Sequence, residues 1–99
     1  MSFQIRISGQ ARTDLIRLHR FQATRDPAVG RRALTAIHQA FASLASAPFI
    51  YRKAQPNNAF LREIIIPFGS AGYVALYEID NDKSVTVLAV RHQLEEDYY

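Results

Sequence analysis

At 99 residues, 48% hydrophobic and 21% charged, with 4 Gly and 4 Pro, the chain has the size and composition of one globular domain; chains this short rarely split in two, and one core leaves little room for a large cofactor site. With no cysteine, disulfides, thiolate metal sites and a cysteine nucleophile are excluded, and the count fits a reducing, cytoplasmic setting. The net charge of +3 conceals a gradient: residues 1–62 carry nine arginines and Lys53 against Asp14 and Asp26, a net +8, while residues 63–99 carry Lys83 and Arg91 against seven acids, a net −5. Ten of the twelve cations are arginine, the side chain suited to bidentate contact with phosphate or carboxylate, so an anionic partner and a merely solvated surface are both compatible with the charge.

The first ten residues carry Arg6 within an alternating pattern and no apolar run, unlike a signal peptide. The apolar runs are too short for a bilayer span, so no membrane contact is expected. Phe3-Gln4-Ile5-Arg6-Ile7 alternates apolar and polar residues, the signature of a strand with one buried face. Ser8 is placed to cap a first helix, in which Ala11, Leu15, Leu18 and either Gln22 or Phe21 recur at helical spacing to about Thr24. Asp26-Pro27 restarts a helix, because Asp accepts from free amides and Pro at the first helical position has no N–H to lose. Val29, Ala33, Ile37, Ala40, Phe41 and Leu44 then line one face until Pro48 disfavours helix at Ala47. The two helices are expected to form an antiparallel hairpin.

Residues 48–58, with Pro48, Pro56 and Asn57-Asn58, read as a loop whose only charges are Arg52 and Lys53. Beyond it, Phe60 to Phe68, Tyr73 to Ile79 and Ser84 to Val90 read as three strands of an antiparallel meander, separated by Gly69-Ser70-Ala71-Gly72 and Asp80-Asn81-Asp82-Lys83. The expected fold is a single α+β domain over 1–99, ordered β-α-α-β-β-β, with the helical hairpin packed on a mostly antiparallel four-stranded sheet.

Phosphate-binding glycine loops, paired histidines at helical spacing and nucleophile elbows are absent. His19, His38 and His92 are scattered along the chain, so neither a metal nor a cofactor is expected. The richest chemistry lies in Arg91-His92-Gln93-Leu94-Glu95-Glu96-Asp97-Tyr98-Tyr99 at the end of the last strand. There Arg91 offers positive charge, His92 an acid or base, and Tyr98 and Tyr99 stacking surfaces for a nucleotide. Arg52, Lys53 and Arg62 bracket the start of the second strand and can join Arg91 on one rim to grip phosphates, or serve in ion pairs with Glu63, Glu78 and Glu95.

Four stretches carry a family resemblance: Ala11-Arg12-Thr13-Asp14-Leu15, the helix end from Leu44 to Pro48, Gly72-Tyr73-Val74-Ala75-Leu76-Tyr77-Glu78-Ile79, and Val85-Thr86-Val87-Leu88-Ala89-Val90-Arg91-His92-Gln93. On these the chain resembles the RelE/ParE superfamily of toxins over nearly its whole length. The resemblance implies the toxin half of a type II toxin–antitoxin (plasmid stabilisation) pair, neutralised by an antitoxin encoded by an adjacent gene. It implies one of two actions: ParE-like inhibition of DNA gyrase, or RelE-like ribosome-dependent cleavage of mRNA without a metal.

Aligned on Gly72-Tyr73, the two strand lysines of the nuclease branch fall at Ile65 and Pro67, its arginine after the Gly-Tyr at Val74, and its C-terminal arginine at Gln93. Its terminal tyrosine has a counterpart in Tyr99, and His92 resembles the C-terminal histidine of other nuclease branches. The resemblance therefore favours a non-catalytic gyrase inhibitor. The alternative is an mRNA endonuclease using His92, Arg91 and Tyr99, with Arg52, Lys53, Arg62 and Tyr98 touching the target.

Overall fold

The structure, a computed structural model, describes residues 2–95. Its elements are β1 (Gln4–Ile7), α1 (Gly9–Arg25), α2 (Pro27–Ser46), β2 (Arg52–Gln55), β3 (Asn58–Phe68), β4 (Ala71–Ile79) and β5 (Ser84–His92). They form an α+β fold with one sheet in the order β1-β5-β4-β3-β2. Only β1 runs parallel to its neighbour, β5; β2 to β5 are antiparallel. Among the described residues no helix is long and apolar enough to cross a membrane.

The sheet has five strands and not the expected four, because part of the expected loop at 48–58 pairs. Arg52–Gln55 runs along the edge of β3, with Gln55 opposite Asn58 across a tight turn at Pro56-Asn57. Its polar sequence gives no strand signal of its own; an edge strand with one neighbour needs none, since β3 supplies the pairing.

Both helix starts follow local chemistry. Ser8 Oγ accepts the Ala11 N–H at 3.0 Å and donates to the Leu88 carbonyl at 2.9 Å, so the residue that caps α1 also fastens it to β5. Asp26 ends α1 by donating its N–H to the Gln22 carbonyl and starts α2 by accepting from Ala28 N at 2.9 Å. One residue thus serves as the entire connection. Gly30 makes the close approach possible: a Cβ there would stand 2.9 Å from Ala23 Cβ, so the hairpin touches at backbone level near its turn.

The helices bury Ala11, Leu18, Ala33, Ile37, Phe41 and Leu44 against Ile64, Ile66, Tyr73, Ala75, Tyr77, Ile79, Val85, Val87 and Val90. Gln22 extends the α1 stripe, whereas Phe21 lies outside it, 59% exposed. One face of the sheet is therefore helix-covered and the other open, and alternation along each strand decides on which a side chain falls. Burial pushes the Tyr77 hydroxyl far above an ordinary phenol's pKa, a nearby Arg62 pulling the other way. It stays protonated and donates to the Pro48 carbonyl at 2.6 Å, pinning the exit of α2 to the sheet.

The β4–β5 ladder slips by one residue between Leu76 and Tyr77, leaving Leu88 as a bulge. Up to Val87 the odd residues of β5 face the helices; beyond the bulge Val90 and His92 do, and Ala89 and Arg91 turn to the open face.

Candidate functional site

The alternation past the bulge separates two neighbours in sequence. His92 lies opposite Tyr73 on the helix side, and Arg91 lies opposite Val74 on the open side. The two face away from each other.

His92 forms one wall of a groove of about 770 Å³ between α1, the β3–β4 turn and the end of β5. Its ring packs edge-on against Tyr73, centroids 5.6 Å apart. Its Nδ1 accepts the Leu94 N–H at 3.1 Å, which leaves Nε2 as the ring nitrogen without a partner among the hydrogen bonds of the turn. The opposite wall is α1, with Arg17, Phe21 and Arg25, and the Arg25 guanidinium lies 5.5 Å from the Phe21 ring centre. Phe68 and Tyr73, 6.1 Å apart, contribute further aromatic surface. The groove thus joins two cations, aromatic walls and a histidine. Its α1 side was not among the sequence candidates; Arg17, Phe21 and Arg25 at four-residue spacing were the available signal.

Glu95 closes this end. Its carboxylate accepts from the His92 backbone N–H at 3.0 Å and from Arg17 Nη1 at 3.1 Å. Burial pushes the Glu95 pKa up, but the His92 N–H, the hydrogen bond and charge of Arg17 and the charge of His92 outweigh it and hold the carboxyl below its ordinary value. A depressed carboxyl contributes stability above its unfolded pKa and loses it as pH falls through the folded one. Backbone amide signals of residues 92–95 are therefore expected to lose exchange protection as pH falls below the ordinary glutamate range. Glu95→Gln, which keeps an acceptor without the charge, is expected to flatten that dependence.

Arg91 is built into the same turn from the other side. Its Nη1 donates to the Glu95 carbonyl at 2.8 Å, with the His92 and Gln93 carbonyls at 3.3 and 3.5 Å. Arg62 is held similarly, donating to the carbonyls of Ala59 at 2.7 Å, Tyr51 at 2.8 Å and Phe49 at 3.0 Å and lying over the Phe49 ring at 5.4 Å. Arg52 pairs with Glu63 at 3.0 Å, and Lys53 stands exposed on the edge strand opposite Arg62.

The structure does not gather these cations on one rim. Arg62 lies opposite Tyr77 on the helix-covered side, whereas Arg91 lies in the row of Val74 and Ile65 on the open side, about 10 Å further along the strands. Of the expected carboxylate partners, Glu63 takes Arg52 and Glu95 takes Arg17. Tyr98 and Tyr99 lie outside the described residues.

Ile65 and Val74 are direct partners across β3 and β4, and Pro67 pairs with Gly72 one step away. Gln93 donates its backbone N–H to the Gly72 carbonyl at 2.9 Å. The four positions at which the resemblance would set nuclease cations therefore cluster in space, beside Arg91.

The sequence profile of the family described as ParE toxin of type II toxin–antitoxin system, parDE, matches residues 5–97. A Caulobacter vibrioides protein named Toxin RelE1 is 35% identical over 96 residues, covering 97% of this chain and 99% of that protein. Another from the same organism, named Toxin RelE3, is 32% identical over 91 residues, covering 92% of this chain and 95% of that protein.

Proposed function

Because the chain belongs to the ParE toxin family of type II toxin–antitoxin systems, we propose that it arrests growth by binding and inhibiting DNA gyrase, without catalysis, and that a cognate antitoxin neutralises it. The carrying observation is the clustered quartet Ile65, Pro67, Val74 and Gln93. Cutting a phosphodiester without a metal needs an acid, a base and cations aimed at the developing phosphorane charge. At this cluster three of the four residues are apolar, and Arg91 beside it spends its Nη1 on backbone carbonyls. His92 looks into the groove on the other side of the sheet. His92 and Arg91 therefore act on different faces, and of the two cations that share the groove with His92, Arg17 is paired with Glu95 and Arg25 rests on the Phe21 ring.

The antitoxin partner is expected to be acidic where it covers the arginine-rich half, since complementary charge speeds association while buried apolar anchors hold the complex. The names of the two Caulobacter relatives, both RelE toxins, favour a second reading: ribosome-dependent mRNA cleavage, with His92 Nε2 as acid or base and Arg91 and Tyr99 assisting.

The two readings part at His92. Induced His92→Ala protein is expected to arrest growth within about twofold of the unsubstituted chain, with transcripts intact on Northern blots. Complete loss of toxicity in a His92→Ala protein that still folds and binds antitoxin, with cut transcripts in the unsubstituted case, would contradict inhibition without catalysis.

A further inference from the structure

We infer that the outer face of the α1–α2 hairpin is a docking surface for the phosphate backbone of duplex DNA. The hairpin, residues 9–46, carries Arg12, Arg17, Arg20, Arg25, Arg31 and Arg32, no lysine, and only Asp14 and Asp26 as acids. Both acids are turned to internal work. Asp14 is 1% exposed and accepts the Val90 N–H, and Asp26 caps α2.

Three of the four sheet arginines differ in kind; the fourth, Arg6 on β1, is exposed and, like most of the hairpin arginines, makes no ion pair among the described residues. Arg52, Arg62 and Arg91 are fixed by a carboxylate or by carbonyls, whereas Arg12, Arg20, Arg31 and Arg32 are exposed and make no ion pair among the described residues. Arg25 is exposed as well, its guanidinium resting on the Phe21 ring.

The close approach of Gly30 to Ala23 sets Arg31 and Arg32 beside the last turns of α1, which carry Arg20 and Arg25. Arg20, Arg31 and Arg32 thus all stand within six residues of the connection at Asp26, with Arg12 nearer the start of α1, while Arg25 faces the groove. From Arg12 to Arg20, about 80° apart around α1, the rise is about 12 Å, matching about four phosphates along one strand of DNA. Guanidinium groups bind phosphate bidentately and are weakly hydrated, so exposed arginines without carboxylate partners favour a polyanion over solvent. The choice of DNA over RNA rests on the gyrase reading, because gyrase works on duplex DNA.

The test is fluorescence anisotropy of a labelled 20-bp DNA duplex against the full chain freed of antitoxin, over a range of salt. Each neutralised phosphate lowers log K by about 0.9 per decade of salt, so Arg12, Arg20, Arg31 and Arg32 together predict a slope of about −3.6. Arg31→Ala/Arg32→Ala is expected to flatten the slope by about 2 and weaken binding about a hundredfold at 50 mM salt. Lys83→Ala, in the exposed acidic turn between β4 and β5, is expected to leave both unchanged. Thermal unfolding confirms that the variants fold.

A salt-independent interaction, or equal binding by Arg31→Ala/Arg32→Ala, would overturn the inference. So would an RNA duplex of equal length bound ten times more tightly, or the double variant losing antitoxin while keeping DNA. Supercoiling assays on the same samples separate the two proposals. Gyrase inhibited by a chain that ignores DNA removes the docking surface alone; DNA bound by a chain indifferent to gyrase keeps the surface and removes the gyrase reading.

Discussion

Gly72→Ala is expected to lower folding stability by about 3 kcal/mol, from steric overlap and backbone strain together. Gly72 has φ +154°, and a Cβ there would stand 2.2 Å from the Ile66 carbonyl oxygen and 3.0 Å from Phe68 N. Those atoms belong to the adjacent strand, so relief would require β3 and β4 to part where Pro67 pairs with Gly72. The Gly72 carbonyl also accepts from Gln93 N at 2.9 Å, which carries the damage into the turn that orients His92. For a domain of this length the midpoint of thermal unfolding should fall by about 15 °C. Gly69→Ala is the control: Gly69 has φ +62° but open space around its missing Cβ, so only the left-handed strain of about 1–2 kcal/mol applies. Circular dichroism melts of the pair check both; equal losses would show that steric overlap at Gly72 is absorbed.

Asp14→Ala is expected to cost about 2–3 kcal/mol. Asp14 Oδ2 accepts the buried Val90 N–H at 2.9 Å, while Oδ1 takes Gln10 Nε2 at 3.2 Å and stands 3.8 Å from Arg17 Nη2. Val90 lies three residues past Val87, the last β5 residue paired with β1, and there α1 supplies the acceptor. Alanine leaves that N–H buried and unmatched; Asp14→Asn keeps one acceptor and should lose less than half as much. Hydrogen exchange at Val90 distinguishes this account from a general loosening: in Asp14→Ala that amide should lose protection ahead of Val85 and Val87.

Elements set by contiguous residues were legible in the sequence. Ser8 and Asp26-Pro27 announce helix starts through their own side chains, and Pro48 announces a stop. The β2 strand was not legible, because Arg52–Gln55 has no apolar alternation and forms by borrowing β3's edge. Asp14 stood inside a stretch that carried the family resemblance, yet its partner, Val90, is 76 residues away, and only the packed fold supplies that contact.

The candidate site was legible in part. Arg91 and His92 were grouped by their adjacency in sequence, and strand alternation in β5 turns them to opposite faces. The separation of Arg62 from Arg91 was not readable, since it depends on register across three strands and on the bulge at Leu88. The groove draws on α1, the β3–β4 turn and β5, and its α1 residues read as polar positions or as part of the apolar stripe until the sheet is placed against them.

The most direct test of inhibition without catalysis is a paired assay of the purified toxin, freed of antitoxin, on gyrase supercoiling and on mRNA in programmed ribosomes. Loss of supercoiling with intact mRNA is the predicted result. Cut mRNA with normal supercoiling would contradict it, and would mean that the chemistry proceeds without cations at positions 65, 67, 74 and 93.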